Sequence, residues 1–174
     1  MPDTDAQNPA AGPAAAGAKR QLQNQEDFRE ALVELLRGAS RQVYIFSDRL
    51  ARGIYSDPEV AEAISGFARR SRYVELQILV RDTDTLAREF NRTHNLAQRL
   101  SSRIRLRCVH PTAESPETEF VLADGRDVLL REDREQWRGV YVPGDRVRAR
   151  KLGEIFQQQW ERATEDPALR RLFL

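Results

Sequence analysis

The stretch Glu119-Phe120-Val121-Leu122-Ala123-Asp124-Gly125-Arg126-Asp127-Val128-Leu129-Leu130 decides the fold. Two short apolar runs meet at Asp124-Gly125-Arg126, and an Asp-Gly pair tolerates the positive φ angles that a tight hairpin turn needs. Working outward, residues 42–46 (Gln-Val-Tyr-Ile-Phe) and 73–80 (Tyr-Val-Glu-Leu-Gln-Ile-Leu-Val) are rich in β-branched and aromatic residues. Both runs are too short for helices and end at polar residues, Ser47 and Asp48 in one case and Arg81 and Asp82 in the other. Ile104, Leu106 and Cys108 alternate with Arg103, Arg105 and Arg107, the pattern of a half-exposed edge strand. That row of arginines is either a comb for nucleic acid or a solvated face that keeps the edge from pairing, and the second explanation asks for less. A last strand is expected at residues 139–142.

Helical periodicity fills the gaps between these runs. Phe28, Ala31, Leu32, Leu35 and Leu36 recur at three-and-four spacing between a cap at Asn24 and a stop at Gly38. Asp57-Pro58 opens a second helix with Val60, Ile64, Phe67 and Ala68 on one face. Leu86, Phe90, Ala97 and Leu100 predict one continuous third helix over residues 83–100. Asp145 caps a final helix that turns Leu152, Ile155, Phe156, Trp160 and Ala163 inward, and a short helical turn follows Pro167. Strands alternating with helices and then forming a hairpin give an α/β class with a mixed β-sheet flanked by helices.

The chain has 174 residues, the size of one domain. Residues 1–23 mix Ala, Pro, Gly and Asn without periodicity and are expected to be a disordered tail, leaving 24–174 as the domain. Lys+Arg 28 against Asp+Glu 27 leaves a formal charge of +1, so no bulk field draws the chain toward nucleic acid or an anionic membrane. The lone cysteine, Cys108, excludes an internal disulfide and reads as a buried strand residue. No apolar run is long enough for a transmembrane segment, and a cytoplasmic location is expected.

Glu117-Thr118-Glu119-Phe120-Val121-Leu122-Ala123-Asp124-Gly125 resembles the phospholipase D signature, in which His, any residue, Lys, four residues and Asp precede Gly on a hairpin. Asp124 and Gly125 hold the signature's Asp and Gly positions, whereas Glu117 stands in place of the nucleophilic His and Glu119 in place of the phosphate-binding Lys. The Gly-Ser/Thr and Asn that usually follow are replaced by Leu130-Arg131-Glu132-Asp133-Arg134. The resemblance implies one degenerate, phospholipase D-like repeat of a bacterial family of unassigned function. In active relatives paired His-Lys sets grip the phosphodiester, and carboxylates there would repel it.

Two further groups of residues are candidate sites. His110, following the Arg-alternating strand, is expected near Ser47, Asp48, Arg81 and Asp82 at the strand ends, where α/β sheets bind ligands. Arg81 and His110 would there hold a small anionic group, although Ser47, Asp48 and Asp82 are also ordinary capping residues. Arg69, Arg70 and Arg72 together with Arg146, Arg148, Arg150 and Lys151 are candidates for a basic phosphate- or partner-binding face, against the plainer reading of solvated charges. His94 reads as a helix-surface histidine. Glu117 and Glu119 with Asp124 or Asp127 match no calcium loop, so no metal is expected, and no cofactor fingerprint is present.

These readings point first to a noncatalytic binding or scaffold module for a partner protein or anionic ligand, through self-association or a partner enzyme. The alternative is a hydrolase or phosphodiesterase with altered chemistry built on His110, Glu117, Glu119, Asp124 and nearby carboxylates. A nucleic-acid or anionic-lipid binder is the third, which near-zero net charge disfavours.

Overall fold

The computed structural model describes residues 18–110, 112, 115–133 and 135–169. In chain order the elements are β1 (Arg20–Leu22), α1 (Gln25–Gly38), β2 (Gln42–Ser47), α2 (Arg52–Tyr55), α3 (Pro58–Arg69), β3 (Glu75–Val80) and α4 (Thr83–Arg88). Then follow α5 (Arg92–Arg99), β4 (Ile104–Cys108), β5 (Glu119–Ala123), β6 (Asp127–Arg131), β7 (Gly139–Val142), α6 (Arg146–Arg162) and a 3-10 turn at Pro167–Leu169. The seven strands form one sheet in the order β1-β7-β6-β5-β2-β3-β4. β2, β3 and β4 run parallel, and the remaining pairs are antiparallel.

Alternation along the strands sorts the core into two layers. Val43, Ile45, Leu76, Ile78, Val121 and Leu129 face α1, α3 and α5. Phe46, Leu79, Phe120, Leu122 and Val128 face α6. On that second side Phe156 of α6 lies between Tyr44, stacked at 4.5 Å, and Trp160, at 6.1 Å, with Phe46 and Phe120 edge-on to it. Gly139 is obligatory in β7, because any side chain there would meet the Leu130 carbonyl of the neighbouring strand.

Several expectations need correction. The residues before Asn24 are not all outside the fold: Arg20–Leu22 pair antiparallel with β7, and Leu22 is buried, while residues 1–17 lie outside the described residues. The third helix is two, α4 and α5, because buried Asn91 starts the second. Its Oδ1 accepts from the Thr93 and His94 amides, and its side-chain amide donates to the Leu50 carbonyl at 2.9 Å. His94 is therefore buried, with Nε2 3.0 Å from the Leu169 carbonyl, and is not a surface residue. β3 starts at Glu75, leaving Tyr73 in the preceding turn and 76% exposed. Cys108 is only half-buried, and burial pushes its thiol pKa up.

Arg103, just before β4, and Arg105 and Arg107 within it do more than face solvent. Arg107 lies over the Trp160 ring at 4.4 Å and donates to the Trp160 carbonyl, Arg105 lies over the same ring, and Arg103 donates to the Ala68 and Ser71 carbonyls. They close the ends of α6 and α3.

The C-terminal ends of β2, β3 and β4 define the upper end of the sheet, and the turns that precede these strands define the lower. The β5–β6 turn belongs to the lower end, with φ of 53° at Asp124 and 65° at Gly125. The Asp124 carboxylate accepts the backbone N–H groups of Ser40 at 2.9 Å, Arg41 at 2.8 Å and Gln42 at 3.0 Å, tying the hairpin to the start of β2. Burial alone would raise the pKa of this carboxyl, but those N–H groups and the Ser40 hydroxyl outweigh it, and the net direction is downward. A depressed folded-state pKa gives stability that is present above the ordinary carboxylate range and is lost as pH falls through the folded value. Asp124→Ala is expected to cost about 1–2 kcal/mol at neutral pH, because the site is partly open to water. The gap from wild type should narrow as the carboxylate is protonated, which urea unfolding followed from about pH 7 down to about pH 3 measures.

Candidate functional site

The β5–β6 hairpin and the end of β2 build the centre of the site. Counting outward from the turn, Glu119 pairs with Arg131 across the hairpin, both on the α1 side of the sheet. Arg131 Nη1 donates to Glu119 Oε2 at 2.7 Å, and the two side chains are only 10% and 9% exposed. The other carboxylate oxygen of Glu119 accepts from Ser47 Oγ at 2.9 Å and from the Asp48 amide at 2.8 Å. Ser47 Oγ in turn accepts the N–H of Leu50 at 3.0 Å, holding that residue at a φ of 53°. The fully buried Tyr55 lies within the field of this pair, and burial pushes its phenol pKa up, so it is neutral at any physiological pH. On its open side the Arg131 guanidinium covers the Trp137 ring at 3.7 Å, which itself packs on Phe28.

Above this pair opens a cleft of about 670 Å³ at the upper end of the sheet. Its walls come from the loop after β2 and the start of α2 (Asp48, Arg49, Arg52), from α4 and the α4–α5 junction (Asp82, Glu89, Phe90), and from Glu135 and Trp137 before β7. The volume suits a small ligand or a few side chains of a partner. With Glu119 and Arg131 at its base, carboxylates outnumber guanidinium groups on the lining.

The predicted site residues divide. Ser47, Asp48, Arg81, Asp82 and Glu119 do gather at this end. Arg81, however, is spent on structure: it pairs with Asp48, donates to the Pro116 and Thr118 carbonyls, and lies over the Phe46 ring at 4.5 Å. Asp82 caps α4 through the Asp84 and Thr85 amides. His110 is exposed, with Nε2 2.9 Å from Thr164 Oγ1, and lies outside the cleft. Exposed Glu117 precedes β5, so it does not continue the strand with Glu119. Asp124 is at the opposite end of the sheet, and Asp127 accepts from the Gly144 amide and pairs with Arg126. Glu117, Glu119, Asp124 and Asp127 are therefore dispersed and do not face a common point. Arg69, Arg70 and Arg72 flank the α1 side and Arg146, Arg148, Arg150 and Lys151 start α6 on the other side, yet both groups lie at the lower end.

Sequence reasoning missed Arg131, Trp137 and the α4–α5 junction. The register of the Asp-Gly hairpin held the signal for Arg131, since it places a cation directly across from Glu119. Nothing in the local sequence announced Trp137, whose position depends on the loop between β6 and β7.

The family model described as a domain of unknown function, DUF7931, matches residues 24–172. No curated protein matched by sequence. Among solved structures, the fold is similar to Nuc from Salmonella typhimurium, a phospholipase D family member, with a TM-score of 0.65 at 13% identity over 86% of this chain and 97% of that one. It is also similar to NucT from Helicobacter pylori, with a TM-score of 0.61 at 13% identity over 86% of this chain and 99% of that one. TrmBL2, an archaeal chromatin protein with a novel mode of DNA binding, gives a TM-score of 0.64 at 15% identity. This chain is covered over 88% of its length in that match, but spans only 56% of TrmBL2. The fold is thus phospholipase D-like.

Proposed function

Because the chain belongs to the DUF7931 family of domains of unknown function, we propose from its own geometry that it is a noncatalytic, degenerate phospholipase D-like repeat whose upper cleft is a binding site. The observation that carries this reading is the state of Glu119. Where the resembled signature sets a lysine to grip phosphate, this carboxylate is buried and engaged by a guanidinium, a hydroxyl and a backbone amide. It serves neither as a nucleophile nor as a cation for a phosphoryl oxygen. The cleft above it is kept open and polar, suited to a small molecule or a segment of a partner protein. A hydrolase rebuilt around His110 lacks this support, since that imidazole is turned to Thr164.

The test is hydrolysis of bis-p-nitrophenyl phosphate by the whole chain across a range of protein concentrations. The expected result is release of p-nitrophenolate no faster than in protein-free buffer. A protein-dependent rate that disappears in Glu117→Ala or His110→Ala would overturn the noncatalytic reading.

A further inference from the structure

The opposite end of the molecule carries a second surface. We propose that the lower end of the sheet binds single-stranded nucleic acid, with arginines on the phosphates and Tyr73 as a stacking platform for a base.

The turns at this end form one continuous strip, stitched by hydrogen bonds. Gly144, before α6, donates to Asp127. Asp124 in the next turn accepts from residues 40–42, and the Arg41 carbonyl accepts the Glu75 amide. Arg70 reaches back to the Ala39 and Arg37 carbonyls, and Arg103 reaches the Ser71 carbonyl. Along this strip stand Arg41, Arg69, Arg70, Arg72, Arg103 and Arg146, and among the described residues none of the six has a carboxylate within ion-pair distance. Arg70 and Arg103 donate to carbonyls, which orient the guanidinium without cancelling its charge. The carboxylate of Asp124 is occupied by backbone amides, and that of Asp145 caps α6 and pairs with Arg148.

A net charge of +1 conceals this arrangement, because the cleft at the upper end holds the excess of carboxylates and the lower end the excess of guanidinium groups. Such a separated field steers a polyanion to one end of the molecule. The aromatic residue selects the kind of polyanion. Tyr73 is 76% exposed in the midst of the strip, with the Arg72 guanidinium 4.8 Å from its ring centroid. An exposed ring beside arginines that track a phosphate backbone is the arrangement that holds unpaired bases, which a duplex keeps stacked internally.

The measurement is fluorescence anisotropy of a labelled oligothymidylate of about twenty nucleotides, longer than one binding site, against a duplex of equal length. Single-strand binding is expected to weaken about 50-fold between about 50 and 200 mM salt, the dependence for four phosphate contacts. Combined Arg69→Glu, Arg72→Glu and Arg146→Glu should abolish it. Tyr73→Ala should weaken single-strand binding at least about fivefold, the lower bound for loss of one stacked base, and leave duplex binding unchanged. All four positions are exposed, and thermal melting confirms that the variants remain folded. Arg88→Glu, at the upper end, should leave affinity unchanged. The proposal fails if no salt-dependent binding occurs at about 50 mM. It also fails if Arg88→Glu matters as much as the lower-end changes, or if the chain is retained on phosphatidylserine vesicles but not by oligonucleotide. Phosphodiester turnover is a separate readout, so this surface and the reading of the cleft stand or fall independently.

Discussion

Glu119→Lys should leave the domain largely unfolded at room temperature. The substitution restores the lysine of the resembled signature, but into surroundings built for a carboxylate. It sets a second cation against Arg131, whose side chain is 10% exposed, and removes the acceptor for the Ser47 hydroxyl and the Asp48 amide. Removing one partner of a buried pair costs about 3–5 kcal/mol, and reversing its charge costs more. Native domains hold only about 5–15 kcal/mol in total. Glu119→Ala should show the lower figure in urea unfolding. The double change Glu119→Leu with Arg131→Met should recover much of the loss, since an apolar pair of similar size carries no desolvation cost. A Glu119→Lys protein that melts where wild type does would mean that the pair does not hold the base of the cleft together.

The second large effect concerns the opposite side of the sheet. Among the described residues α6 is the only helix on that side, and Phe156 is its most enclosed large side chain, touching the aromatic rings of β2 and β5 as well as Trp160. Truncating it leaves a cavity that stacked, rigid rings cannot collapse into. Phe156→Ala is expected to cost about 3–5 kcal/mol. For a chain of this size that lowers Tm by about 10 °C. Phe156→Leu, which retains most of the volume, should lose less than half as much. Calorimetry of the two variants separates loss of packing from loss of the helix, because detachment of α6 would broaden the transition.

How far the sequence could be read follows from what each signal depends on. The hairpin, β7 and the caps of α1, α3 and α6 were legible because Asp-Gly, Asp-Pro and three-and-four spacing act within a few residues. The break between α4 and α5 was not, because Asn91 acts as a cap only when the Leu50 carbonyl is present to hold its amide. His94 looked like a surface residue for the same reason: its partner is Leu169, far along the chain. At the cleft, the gathering of Ser47, Asp48, Arg81 and Asp82 follows from parallel strands ending together. Which of them would be free for a ligand depends on tertiary neighbours, and Arg81 is claimed by Asp48 and by two carbonyls of the loop before β5. The charge asymmetry was hidden by summation, since Arg41, Arg72 and Arg146 meet at one end only once the turns are folded.

β1 has a consequence for how the chain assembles. Its three residues close the sheet by pairing Arg20 with Tyr141, so the first strand must wait for nearly the last. Loop-closure entropy makes such a contact late to form, and three residues make it early to break. While it is open, β7 presents a row of unpaired backbone amides and carbonyls beside an apolar face, the template on which a second chain adds a strand. A short segment that looks dispensable in the finished fold is thus a guard against aggregation, and trimming the N-terminus through Leu22 trades solubility for very little lost core.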